Sequence, residues 1–237
     1  MRIRYQLSII GLALALIATG CDKLKNSTEP QTAPTFPTLS LKGPNTTSGD
    51  THAQQTITTI TTLNAQISPA YLALVASLTP TQNGDTWTWL LSQGTLTLTT
   101  TATKQPDGSF AWTVKVNGTD PTTDSTYTNW VALSGTSSAD AKSGNFNTYL
   151  VNSTTPAGNV VWSKDASGNL TATFTYYVNG TPTGKAVVVN NTDNSGELQM
   201  FTGTTMTSKS VWAANGSGTW WTYEIGTGTQ TGTGTWS

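Results

Sequence analysis

The sequence has few of the side chains that carry most catalysis and metal binding. It contains one cysteine and one histidine in 237 residues, and only 10% of its residues are charged. A single cysteine cannot form a disulfide within the chain, and a lone His52 has no second imidazole or thiol with which to share a metal. No Gly-x-Ser-x-Gly nucleophile elbow occurs. We therefore expect no catalytic site, no metal site and no cofactor, and a protein that is not an enzyme.

Paired carboxylates are the remaining route to catalysis, since a glycosidase needs only two of them. Glu197 and Glu224 are the glutamates that fall in strand-like sequence, and Lys115 and Lys209 are lysines of the same kind. Charges on a solvated sheet face commonly pair across strands. The pattern favours surface ion pairs over a catalytic Glu197–Glu224 pair.

Arginine is confined to positions 2 and 4. Beyond them the chain carries lysine as its only strong cation, against 12 acidic residues in all. Without guanidinium groups the chain lacks the planar donors that grip phosphates and guanine bases in pairs of hydrogen bonds. We therefore expect no nucleic-acid partner.

The first 21 residues have the pattern of an export signal. Arg2 and Arg4 precede an apolar run from Leu7 to Ala18, and the small residues 18–20 lead to Cys21. A dozen apolar residues are too few to span a bilayer, which takes about 20. The segment resembles the lipobox of bacterial lipoproteins. That resemblance implies cleavage of residues 1–20, a diacylglycerol on Cys21, and a lipid-anchored protein of the bacterial cell envelope, on its periplasmic or cell-surface side.

The next two segments differ in composition. Residues 21–50 are rich in Pro, Thr, Ser and Asn, and they predict a flexible or partly extended tether. Residues 51–80 predict one or two short helices. Ile57, Ile60, Leu63 and Ile67 recur at helical spacing, and Ser68-Pro69 has the pattern of a second helix start, followed by an apolar stripe up to Leu78.

Residues 81–237 alternate between apolar and polar side chains in short segments. In 110–116 and 170–178 every second residue is apolar, the period of a half-buried strand. Turn sequences such as Asn179-Gly180 separate these segments. We predict a mainly β fold: an antiparallel meander of about ten strands, curled into an open barrel or a sandwich, with the short helices packed on it. This architecture resembles that of periplasmic lipoprotein carriers and, more loosely, lipocalins.

Several predicted strands begin with Gly, any residue, and an apolar residue. Examples are Gly144-Asn145-Phe146, Gly196-Glu197-Leu198 and Gly218-Thr219-Trp220. The pattern indicates either a degenerate hairpin repeat or glycines that simply follow each turn. Turn chemistry is the more economical interpretation.

The chain holds nine tryptophans, and their positions show that they do not all face one core. Trp220 and Trp221 are adjacent, so in a strand one points to each face. The same reasoning applies to Trp130 beside Val131 and to Trp212 beside Val211. Outward indoles on a Thr- and Asn-rich face could stack on sugars, whereas aromatic packing or burial is the simpler explanation. We take these four tryptophans as candidate ligand contacts.

Three functions remain open from the sequence. The first is a lipid-anchored envelope protein with a structural or interaction role and no enzymatic activity. The second is a carrier of an apolar ligand held inside an open β-barrel, which needs an enclosed apolar cavity. The third is glycan binding through outward tryptophans. In each case the membrane is a partner through the lipid on Cys21.

Overall fold

The structure is a computed structural model that describes residues 32–67 and 77–237. The predicted signal segment, Cys21, the first part of the predicted tether and most of the second predicted helix lie outside the described residues. The folded unit begins at Pro34 and continues to Ser237. Among the described residues, no helix combines the length and apolar character needed to cross a bilayer.

The described residues form one helix, α1 (Thr51–Ile67), and thirteen strands. The strands are β1 (Thr81–Asn83), β2 (Thr86–Gln93), β3 (Leu96–Lys104), β4 (Phe110–Thr119), β5 (Thr126–Ser137), β6 (Ser143–Tyr149), β7 (Pro156–Lys164), β8 (Leu170–Val178), β9 (Thr181–Asn190), β10 (Gly196–Thr202), β11 (Thr205–Trp212), β12 (Gly218–Tyr223) and β13 (Gln230–Trp236).

All thirteen strands lie in one antiparallel sheet in chain order, so each strand pairs with its neighbours in sequence. The predicted mainly β meander is confirmed, and the sheet is not closed. The number of strands exceeds the predicted ten. One reason is that β1 is three exposed residues long and carries no alternating pattern. Short hairpin connections explain the simple order, because each turn returns the chain beside the strand it has just left.

The two faces of the sheet differ in burial. Along β4, Trp112, Val114 and Val116 are buried while Lys115 is exposed, as the alternation predicts. Registered neighbours continue the buried row through Phe146, Val160 and Phe174 on later strands. We call this buried side the inner face and the opposite side the outer face.

Helix α1 crosses the inner face. Asp50 caps its start, since Asp50 Oδ1 accepts hydrogen bonds from the backbone N–H groups of His52 and Ala53 at 2.8 and 3.0 Å. Ile60 and Leu63 are buried at 3% and 1% exposure. Thr56 is buried too, and its hydroxyl bonds both His52 O and Ser210 Oγ on β11. The first predicted helix is therefore confirmed, and it begins six residues before its first isoleucine.

Residues 36–44, which we call the strap, also cross the inner face. The Phe36 ring stacks on Phe146 with centroids 5.1 Å apart and meets Trp112 edge-on at 5.0 Å. Asn190 holds the strap by two bonds: its Oδ1 accepts from Lys42 N at 2.8 Å and its Nδ2 donates to Lys42 O at 2.7 Å. Asn64 of α1 bonds Leu41 N and O in the same way.

The strap corrects the predicted tether, which was placed through residue 50. Phe36, Leu39 and Leu41 are all less than 9% exposed, so from Phe36 the chain is part of the core. Its composition concealed this role. Three apolar residues among prolines and threonines form no sustained helical or strand period, and the contacts that hold them come from distant positions: the rings of Trp112 and Phe146 and the amides of Asn64 and Asn190.

Three of the glycines singled out in the sequence are required by tryptophans. A Cβ on Gly196 would lie 2.4 Å from the Trp212 ring, one on Gly218 2.2 Å from Trp236, and one on Gly144 2.5 Å from Trp162. Each of these indoles donates its Nε1–H to a carbonyl in the preceding turn on the same side: Asn194 O, Gly216 O and Ala141 O respectively. The repeat is therefore structural: a glycine in one strand makes room for a tryptophan from the next.

Turns at one end of the sheet share an aspartate or asparagine whose side chain bonds the turn itself. Asp193 Oδ1 accepts hydrogen bonds from both N and Oγ of Ser195, and Asn215 does the same with Ser217. Hydrogen bonding to Ser138 Oγ, then to Lys142 N, lowers the pKa of Asp140 to about 2. Serine or asparagine side-chain bonds also lower the pKa of Asp107, Asp165 and Asp193.

These turns predict acid sensitivity. The pKa of each aspartate is lower in the folded chain than its ordinary 3.8, so the stabilisation is present above that pH and is lost as pH falls through the folded pKa. We expect the melting temperature to fall between about pH 4 and about pH 2. Asn215 shows that an amide can form such a turn. Changing all four aspartates to asparagine should therefore reduce the drop in melting temperature between these two pH values. Circular dichroism melts measure both; equal falls in the two proteins would contradict this account.

Candidate functional site

Two of the four candidate tryptophans, Trp212 and Trp220, lie on the inner face of the β11–β12 hairpin. Trp212 is 2% exposed and its indole N–H donates to Asn194 O, so it is part of the core and the prediction of an outward, ligand-stacking Trp212 is wrong. Trp220 is half-buried beneath α1, where His52 stacks on it with centroids 3.5 Å apart. The Val211 side of the Val211-Trp212 pair is therefore the outward one.

Trp221 is the outward partner of Trp220. It lies directly across from Lys209 on β11, whose Nζ is 5.8 Å from the ring centroid. Lys209 also pairs with Glu197 at 3.0 Å, as predicted for strand charges. Glu224, by contrast, accepts a bond from Thr227 in the β12–β13 turn. The sheet therefore separates Trp221 from the other candidate tryptophans by face.

A β-bulge sets the face of the sheet on which Trp130 lies. The β4–β5 register shifts between Val114 and Lys115, so that Val114 opposes Leu133 but Val116 opposes Trp130. Simple alternation from the buried Leu133 would have placed Val131 on the inner face. The extra residue reverses this: Trp130 faces the same side as Val116, and Val131 faces the side of Lys115.

A groove opens beside Trp130 because β5 and β6 separate there. Their pairing begins at Leu133 and Thr148, so residues 126–132 of β5 have no partner on β6. Asn152 from the β6–β7 turn bridges part of the gap: its Oδ1 accepts from Thr128 N and its Nδ2 donates to Thr126 O, both at 2.9 Å. These bonds hold the two sides of the groove at a fixed separation.

The groove has a volume of about 710 Å³ and no charged side chain in its lining. Trp130 and Tyr149 supply its aromatic surface, and Val131 adds an aliphatic side chain. Tyr127 stacks on Trp130 with centroids 5.5 Å apart at 15°, and Tyr149 Oη bonds Ser134 Oγ at 2.8 Å. Both rings are therefore fixed in place. The remaining lining consists of amides and hydroxyls: Thr128, Asn129, Asn152, Ser153 and Thr154.

Three of these polar side chains are free to bind. Within residues 32–67 and 77–237, the side chains of Thr128, Asn129 and Thr154 have no hydrogen-bond partner, and all three residues are exposed. Asn129 is held by its backbone, whose N–H donates to Asn117 Oδ1, and it adopts a left-handed φ of 46°. Its amide is thus positioned at the groove while its own hydrogen-bonding capacity is unused.

Tyr149, Asn129 and Asn152 were not identified from the sequence. Their only signal was the presence of asparagines near predicted turns, since asparagine tolerates left-handed backbone. Both asparagines adopt it, with Asn152 at φ 54°. Such a signal marks a turn equally well without any site beside it.

Two smaller cavities flank α1 on the inner face, each of about 260 Å³. One is lined by Gln66, Phe146, Phe174 and Tyr176, and the other by His52, Met200 and Trp220 among others. Ligand pockets usually measure about 300–1,000 Å³. The groove at Trp130 lies within that range and these two cavities lie below it. A further hollow of about 440 Å³, lined by Trp212 and Trp236 among others, also lies within the range. It is smaller than the groove and its lining has no side-chain amide, so we take the groove as the candidate binding site.

We also searched the described residues for a cluster of metal-binding side chains. No group of three His, Cys, Asp or Glu residues is placed to hold a metal ion there. Comparison with known proteins found no protein-family model and no curated protein that matches this chain.

Proposed function

We propose that this chain is a lipid-anchored, non-enzymatic binding protein of the bacterial cell envelope, and that its ligand is an uncharged glycan held in the groove at Trp130. The observation that carries the proposal is the composition of the groove: two fixed aromatic rings beside free amide and hydroxyl groups, with no charge. The anchor rests on the resemblance of residues 1–21 to a lipobox.

The chemistry suits a sugar. The hydrogen-bearing face of a pyranose is apolar and packs on an aromatic ring, while its hydroxyls need donors and acceptors at the ring edge. Trp130 offers the ring, and Asn129 offers an amide that both donates and accepts. A neutral lining also avoids the desolvation cost that a buried charge would impose on an uncharged ligand.

An apolar-ligand carrier is the alternative. It is supported by the aromatic lining of the cavity at Phe146 and Phe174, but that cavity has only about 260 Å³. A palmitoyl-sized chain needs a volume nearer the usual range for ligand pockets, roughly 300 Å³ or more. The glycan therefore fits the described geometry better.

A glycan array that contains neutral and acidic sugars tests the proposal. We expect the purified chain to retain neutral oligosaccharides, with binding that is insensitive to salt because no ion pair contributes. Retention of acidic glycans alone, or binding that disappears as salt is raised, would contradict it. Retention of a fatty acid instead, identified by native mass spectrometry, would favour the carrier.

A further inference from the structure

The two edges of the sheet are protected differently. At one edge, β1 consists of three residues, and shortness is a common way to prevent unwanted strand pairing. At the other edge, β13 has seven residues, Gln-Thr-Gly-Thr-Gly-Thr-Trp, and pairs only with β12 among the described strands. It carries no charge and no proline. The register with β12 shifts at Thr231 and is regular from Gly232 to Trp236, so the last five residues of the strand form an edge without a bulge.

Strand β13 is also held firmly. Trp236 Nε1 donates to Gly216 O at 2.7 Å, and Thr233 Oγ1 donates to Trp220 O at 2.9 Å. Beneath the strand lies the Trp220 ring, so close that a Cβ on Gly234 would lie 2.8 Å from it. A strand that is already held in place loses little entropy when another strand pairs with it.

We propose that β13 is an interaction surface for a second copy of this chain, which adds its own β13 antiparallel across a two-fold axis. The sequence of the edge is self-complementary. With Thr233 at the axis, Thr231 opposes Thr235 of the other copy and Gly232 opposes Gly234. Each outward pair is then Thr with Thr, which favours cross-strand contact, and no like charges meet.

The symmetry fixes which side chains can pair. Opposite residues of an antiparallel pair point to the same face, so a two-fold axis pairs threonines with threonines and glycines with glycines. Of the axes that obey this rule, the one at Thr233 lies at the centre of the seven-residue strand and so pairs its whole length. It leaves both inner faces on one side of a continuous sheet. A single pair of strands buries less area than a standard stable interface, so the dimer is weak.

Cysteine cross-linking in the full-length chain tests both the dimer and its register. Thr233→Cys places two thiols opposite each other at the axis, with Cβ atoms about 5 Å apart. In Thr235→Cys the thiol of one copy opposes residue 231 of the other, so the two thiols lie four residues apart along the strand direction, roughly 13 Å. Thr171→Cys, on the exposed outer side of β8, measures random collision, and the unaltered chain measures any contribution from Cys21.

After mild oxidation of cells expressing each variant, a non-reducing gel should show a covalent dimer as the main product of Thr233→Cys alone. The other single variants and the unaltered chain should remain monomeric. Co-expression of Thr231→Cys and Thr235→Cys chains should restore the dimer. Absence of a dimer at position 233, or equal cross-linking at 233 and 171, would overturn the proposal. The experiment uses no sugar, so its failure leaves the glycan groove untouched.

Discussion

Replacing Trp212 with alanine should lower the free energy of unfolding by about 3–5 kcal/mol, the usual cost of removing a fully buried large aromatic side chain. Trp212 is 2% exposed, packs on Gly196, and donates its indole N–H to Asn194 O. The variant leaves a cavity on the inner face and an unbonded carbonyl in the β9–β10 turn. Urea denaturation followed by circular dichroism measures the loss.

Trp221 provides the matched control for that change. It is the same residue type in the other strand of the same hairpin, but it lies on the outer face beside Lys209. Trp221→Ala should cost about 1 kcal/mol, in the ordinary range for partly exposed positions. Similar losses for the two variants would show that the assignment of inner and outer faces in β11 and β12 is incorrect.

Replacing Trp130 with alanine should weaken the binding of a neutral oligosaccharide about thirtyfold, as expected when an aromatic anchor worth about 2 kcal/mol is removed. Calorimetric titration measures the change. Trp221→Ala is again the control, because that ring lies outside the groove, and it should leave the affinity unaltered. Equal affinities for the Trp130→Ala and unaltered chains would exclude the groove as the binding site.

Asn129→Gly separates binding from folding at the same site. Glycine adopts the left-handed backbone of residue 129 without strain, so stability should hold. The free amide is lost, and affinity should fall by about fivefold, the value of one hydrogen bond near 1 kcal/mol. A variant that unfolds would contradict the left-handed backbone at residue 129, and one that binds as tightly as the unaltered chain would remove Asn129 from the site.

Local patterns were sufficient to predict most of the fold. Alternation along β4 and β8 and turn pairs such as Asn179-Gly180 are local, and a meander needs little more than local pairing. Local patterns did not predict features that depend on contacts with residues distant in the sequence. The strap is held on the inner face by ring contacts of Phe36 and by the amides of Asn190 and Asn64, and the Trp212 ring occupies the space that Gly196 leaves opposite it.

The candidate site was less predictable for the same reason. Adjacent residues in a strand point to opposite faces, so the sequence could show that one of each pair leaves the core but not which one. A bulge in the β4–β5 register sets the face on which Trp130 lies. Trp220 lies on the inner face, where His52 stacks on it. The groove itself exists because β5 extends beyond the end of its pairing with β6, and no local sequence pattern encodes that difference in length.

The most direct test of the proposed function is a two-dimensional ¹H–¹⁵N spectrum of the nine indole groups, recorded while a neutral oligosaccharide is added. The Trp130→Phe variant identifies the Trp130 signal by its absence. The account predicts that the Trp130 signal shifts progressively to saturation while those of Trp212 and Trp221 stay in place. A shift at Trp221 with none at Trp130, or no shift at any indole, would contradict the account.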